Sequence, residues 1–244
     1  MIIKSELNKY CSVIGFNLGQ VEKDYLQHLF LIFLSQHSSD ELVFKGGTAL
    51  QKVYGLNRFS IDLDFTQVKG FNLISKIVED LTNFGYETTF TSSSEQSFVL
   101  KIKGPLYENS LVSLCTLNLD ISLMEKVLFV PKVIEITPVY SDLRPYTLLV
   151  MDEREIMAEK VRAIMTRNKA RDVFDFYFLL KKKIKFDVDL IDKKLRFYNK
   201  EYNSKFFLLK IKNVEGLWTH ELKNYVANVP DFSNVYKEIK NFIL

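Results

Sequence analysis

The run FKGGTALQKVYGLNRFSIDLDF, at positions 44–65, leaves few folds open to this chain. It predicts a short apolar strand, a Gly-Gly-Thr turn, an amphipathic helix and a second strand carrying two carboxylates. Leu50, Val53 and Tyr54 face inward from the helix, which ends near Gly55. The turn sets Gly46, Gly47 and Thr48 at a helix N-terminus, where unpaired N–H groups and the macrodipole favour a phosphate. The Thr48 hydroxyl can add to that cradle. Asp62 and Asp64 are two apart on a strand, so both side chains leave one face, while Ile61, Leu63 and Phe65 leave the other. Two carboxylates on one face repel unless a cation sits between them, and Mg²⁺ suits such oxygen ligands. The plain alternative is a tight turn followed by a solvated strand face. Neither Gly-Gly nor Asp-x-Asp is specific alone; their order within one strand–helix–strand unit is the informative feature.

The pattern Lys45-Gly46-Gly47-Thr48-Ala49-Leu50, followed by Lys52, Tyr54, Arg58, Ser60, Asp62, Asp64 and Phe65, resembles the first motif of the AbiEii/AbiGii-type toxins. Those proteins belong to the nucleotidyltransferase superfamily that shares the DNA polymerase β catalytic core. Downstream, Glu159-Lys160, Ala163, Arg167 and Arg171-Asp172-x-x-Asp175-x-Tyr177 resemble the family's helical motifs. The resemblance spans positions 43–180. It implies an α+β fold: a nucleotidyltransferase-type mixed sheet with flanking helices, then a C-terminal helical lobe. It also implies Mg²⁺, a nucleoside triphosphate (NTP) substrate and a separately encoded antitoxin. The acceptor, for some relatives, is the 3′ end of tRNA.

Bulk properties are permissive. The 244 residues suit one large domain or two small ones, and 47% hydrophobic content is enough for real cores. A formal charge of +3 permits, without arguing for, attraction to nucleic acid. Cys11 and Cys115 lack metal-type spacing and read as free thiols of a reducing compartment. His28, His37 and His220 show no ligand spacing. No signal peptide or membrane-length apolar run is evident, so the expected location is cytoplasmic, with no membrane contact.

Periodicity predicts a helix over 21–36, broken by Ser38, Ser39 and Asp40, and another over 73–84 closed by Gly85. Strands are expected over 86–91, 97–103 and 111–123; segment 133–140 is either a strand or a return loop. In the third strand Leu117, Leu119, Ile121 and Leu123 alternate with Asn118, Asp120 and Ser122. Helices are expected over 152–167, 172–183, 187–198, 215–228 and 231–239. The composition shift near position 150 divides the chain into a catalytic domain, 1–150, and a helical domain, 151–244, two lobes expected to meet at a cleft.

The candidate metal ligands are Asp62, Asp64 and Asp120, with Asp120 arriving from a later strand to complete a metal site or help deprotonate the incoming hydroxyl. Otherwise Asp120 is an exposed position on a half-solvated strand. Gly46, Gly47 and Thr48 would hold the triphosphate, and Lys45 and Lys52 are nearby cations that can equally be surface lysines. Arg58 can meet phosphate or pair with Asp62 or Asp64. Lys160 and Arg167, seven apart, leave one side of a helix, either into the cleft or as a charged face with Lys160 paired to Glu153. Asp175 lies in an apolar helix and needs a partner, for which Arg171 is placed; Asp172 can cap that helix. The resemblance makes Lys160 and Asp175 catalytic and adds Arg167 and Arg171 to the nucleotide-binding set. The rivals are a transferase acting on a protein or small molecule, and a non-catalytic module that binds nucleotide or a partner.

Overall fold

Two helices lead into the sheet, α1 (Lys4–Ile14) and α2 (Leu18–His37), in a computed structural model that describes every residue except Ser39. Ser39, one of the residues expected to end α2, lies outside the described residues. Asn17 starts α2 with a reciprocal capping box: its side chain accepts from the Gln20 N–H, and Gln20 accepts from the Asn17 N–H. The strands and helices that follow are β1 (Leu42–Lys45), α3 (Gly46–Lys52), β2 (Leu63–Gln67), α4 (Ile74–Phe84), β3 (Thr88–Ser94) and β4 (Ser97–Ile102), then β5 (Cys115–Ser122), β6 (Lys132–Ile136) and β7 (Tyr146–Val150). They form one mixed sheet in the order β3-β4-β5-β2-β1-β7-β6, parallel only at β2–β5 and β1–β7.

The chain divides into two units. The first is Met1–Val53, Phe59–Val127 and Pro131–Val150; the second is Tyr54–Arg58, Leu128–Val130 and Met151–Leu244. In the first, the pleat sorts the central strands as their alternation requires. Leu63, Phe65, Leu119 and Ile121 are buried on one face, which leaves Asp64 and Asp120 on the other. Three details differ from the sequence reading, the first being α1, which it did not predict. Leu111–Ser113 is a 3₁₀ turn and β5 begins only at Cys115; Leu111 and Val112 are apolar but exposed. β7 was not anticipated, because its five residues show no long alternation before the helical part begins.

Polar residues hold α2 and α3 together inside this unit. The Lys52 ammonium meets Asp24 Oδ1 at 2.7 Å, Gln51 Nε2 donates to the same oxygen, and Tyr140 donates to Asp24 Oδ2 at 2.9 Å. His28 lies beside Asp24 and its Nδ1 is 2.8 Å from the Tyr146 hydroxyl. Burial, together with the Lys52 charge, pushes the His28 pKa down to about 3 against the opposing pull of Asp24. A folded His pKa below the ordinary 6.5 means that the unfolded chain takes up a proton first, so stability falls as pH drops from about 6.5 towards 3. Urea titrations at pH 7 and pH 4 should show wild type losing roughly 3 kcal/mol more than His28→Gln over this interval. Equal losses would mean that His28 is protonated in the folded chain.

The second unit is helical: α5 (Glu153–Thr166), α6 (Ala170–Lys181), α7 (Val188–Arg196), α8 (Ser204–Lys212), α9 (Trp218–Leu222) and α10 (Phe232–Ile243). Asp152, Asp187, Asn203 and Asp231 each accept from a first-turn N–H of the helix they precede. The long helix expected over 215–228 is a 3₁₀ turn, Glu215–Leu217, followed by the five-residue α9. Trp218 anchors it by burial and by donating to the Pro230 carbonyl. The carboxylate of Glu155 accepts from the N–H groups of Leu128 and Phe129 and meets the fully buried Lys194, which also pairs with Glu159. Those bonds tie segment 128–130 into this unit. Among the described residues, no helix is long and apolar enough to cross a membrane.

Candidate active site

The carboxylates are set out by strand register. Asp64 on β2 lies directly opposite Asp120 on β5 and opposite Lys45 on β1, so the three belong to one row across the sheet. Asp62 precedes β2, and Asn118 Nδ2 donates to its Oδ1 at 2.8 Å. Asp62 and Asp64 are half-buried and Asp120 is exposed. All three offer only hard oxygen donors, a set that fits Mg²⁺. Among the described residues no three acidic, His or Cys side chains are grouped closely enough to hold a metal ion by themselves.

The Gly-Gly turn is fitted to Asp64. Gly46 has φ +76°, the left-handed region, and a Cβ there would collide with the Asp64 carboxylate. Glycine is thus required twice, by the backbone and by the close approach. α3 is only seven residues long, so attraction for a phosphate comes from its individual first-turn N–H groups more than from a macrodipole. Gly47 and Thr48 are buried. The Thr48 hydroxyl donates to the Asp62 carbonyl, pinning the turn to the carboxylate segment.

The lysines are engaged inside the first unit. Lys45 is buried and meets Glu125 Oε2 at 2.8 Å. Lys52 is the buried partner of Asp24. Sequence reasoning missed both acids. Glu125 follows β5 in a segment without periodicity, and Asp24 sits among the polar residues of a predicted helix.

In the second unit five charges alternate. Arg58 forks onto Asp175 with Nε–Oδ1 2.7 Å and Nη2–Oδ2 2.8 Å; Lys160 meets Asp175 at 2.7 Å and Asp172 at 3.2 Å; Arg167 forks onto Asp172. Burial opposes the charge on Asp175, but Arg58 and Lys160 outweigh it and hold its pKa below the ordinary range. Burial likewise opposes the Lys160 charge, and Asp175 with Asp172 outweighs it, so its pKa is raised. Arg171 does not pair with Asp175; its guanidinium lies 5.3 Å from the Tyr225 ring centroid. Lys160 pairs with Asp172 and Asp175, and Glu153 instead meets Lys182. Asp175 and Arg58 are sealed from solvent, whereas the Arg167 side chain is 57% exposed.

The family described as nucleotidyl transferase AbiEii toxin, type IV TA system, matches residues 30–238. The chain belongs to that family. Among solved structures it is similar to MenT4, a nucleotidyltransferase toxin from Mycobacterium tuberculosis, with TM-score 0.67 and 17% identity over 100% of this chain and 89% of that one. It is also similar to JHP933 from Helicobacter pylori, with TM-score 0.57 and 21% identity over 93% of this chain and 91% of that one. Identities this low establish the fold alone. No curated protein matches the sequence. Nucleotidyltransferases of the AbiEii kind generally use an NTP and a divalent metal, to which the acidic row and the adjoining turn are chemically suited.

Proposed function

We propose that this AbiEii-family chain is a Mg²⁺-dependent transferase that moves a nucleotide from an NTP to an RNA hydroxyl, with the 3′ end of tRNA as the favoured acceptor. The acceptor oxygen bonds to the α-phosphorus, the bond from that phosphorus to the bridging oxygen breaks, and pyrophosphate leaves with the electron pair. The observation that carries this reading is Asp64 in register with Asp120 and packed against the Gly46 turn. Asp62, Asp64 and Asp120 would hold Mg²⁺. When bound, the ion would neutralise phosphate charge and favour the ionised acceptor hydroxyl.

First-turn N–H groups of Gly46, Gly47 and Thr48 receive phosphate oxygens, and Asp120 either completes the metal site or takes the hydroxyl proton. The family's helical motif supplies the rest of the assigned set. Within the second unit the resemblance assigns Arg167 and Arg171 to nucleotide binding, while Arg58, Asp175 and Lys160 hold one another. An RNA acceptor is favoured by charge: residues 151–244 carry 20 Lys and Arg against 14 Asp and Glu, although the whole chain is only +3. A separately encoded antitoxin completes the proposal, as the family description implies.

The test is transfer of label from each α-labelled NTP, with Mg²⁺, onto total tRNA and onto a protein extract. Label on tRNA supports the proposal and identifies the nucleotide. Label on protein alone overturns the RNA acceptor, and no label anywhere, from folded chain that binds NTP, overturns catalysis.

A further inference from the structure

Residues Ser60, Ile61 and Asp62 enter β2 without belonging to it, so their backbone groups need partners from outside the ladder. Those partners are side chains. Gln27 on α2, wholly buried, donates through Nε2 to the carbonyls of Ser60 at 3.1 Å and Ile61 at 2.8 Å. Gln51 on α3 accepts from the Ser60 N–H at 2.7 Å and donates to Asp24, the acid neutralised by Lys52. The Thr48 hydroxyl takes the Asp62 carbonyl. Nothing in Gln27 or Gln51 reaches a reacting atom, yet both end on the segment that aims Asp62.

We propose that Gln27 and Gln51 are positioning residues that fix the Asp62 carboxylate for its divalent cation. This inference rests on the metal role given to Asp62 above. An amide suits the task because one group both donates and accepts. Gln51 uses both ends, so the Asp24–Lys52 pair anchors the backbone amide of Ser60 through it. Gln27 uses its donor end twice, and its Oε1 has no hydrogen-bond partner. That buried acceptor is left unsatisfied while both carbonyls are held, an arrangement easier to understand as an aiming device than as thrift. Asn118 and Thr48 touch Asp62 directly. Gln27 and Gln51 act one link further back, through Ser60 and Ile61, so the effect expected is at the low end of about 10–100-fold, the range typical of a metal ligand's direct partners.

The experiment is Mn²⁺ binding to the full chain, followed by the electron paramagnetic resonance of free Mn²⁺, in wild type, Gln51→Met, Gln27→Met, Asp62→Asn and Asp62→Asn/Gln51→Met. Gln51 is half-exposed and its replacement is expected to leave the fold intact, which keeps the test independent of Gln27→Met. Both Met variants should bind Mn²⁺ about tenfold more weakly, and Gln51→Met should add nothing in the Asp62→Asn background. Wild-type affinity in folded Gln51→Met, with Asp62→Asn impaired, overturns the positioning role alone. Wild-type affinity in Asp62→Asn overturns the metal assignment beneath it.

Discussion

Asp64→Asn should lower nucleotide transfer by about 10³-fold or more while leaving the chain folded. Asp64 is the middle of the row, flanked by Lys45 and Asp120 and packed against the Gly46 turn, so a neutral amide there removes charge without removing volume. Its position is half-buried and polar, and the change should cost less than about 1 kcal/mol of stability. Ser122→Ala, on the same face two residues beyond Asp120, serves as the control and should keep its rate. The measurement is initial-rate transfer of labelled nucleotide, with circular dichroism to verify folding. An Asp64→Asn protein retaining more than about a tenth of the wild-type rate would remove the carboxylate row from the chemistry.

The second large effect is on stability. Asp175→Ala should cost about 3–5 kcal/mol, because it removes the fully buried acid that both Arg58 and Lys160 meet. Its pKa is lowered, so this contribution persists above the ordinary carboxylate range and is lost as pH falls through the depressed folded value. Urea unfolding followed at 222 nm measures the difference. A loss under about 1 kcal/mol would mean that water reaches the cluster and screens it. Arg171→Ala should cost far less, since its guanidinium only lies over the Tyr225 ring. The two substitutions therefore separate the partner chosen by the fold from the one suggested by helical spacing.

Much of the sheet was legible because its signals are local. Alternation in β5 and the Asp-x-Asp spacing fix which side chains share a face, and a parallel register then brings Asp64 opposite Asp120. The partners of the charged residues were not legible. Arg58 meets an acid 117 positions away, Lys45 one 80 away and Lys52 one 28 away. Only tertiary packing chooses among several acids of equal chemistry. α8 was missed for another reason: its Phe206-Phe207-Leu208-Leu209 run is continuous, so no helical period stands out until Phe207, Leu208 and Ile211 are buried. The mildly basic total said little because it hides an uneven split, net +6 over residues 151–244 and net −3 over residues 1–150.

The Arg58–Asp175 fork has a consequence in time. Synthesis runs from the N-terminus at about 5–20 residues per second, so the guanidinium waits on the order of ten seconds for its carboxylate to be made. Until then the arginine must stay hydrated, and the loop Tyr54–Arg58 has no helical unit to join. A ribosome that stalls before Asp175 leaves that cation permanently without its acid. The fork therefore forms only once α6 has been made.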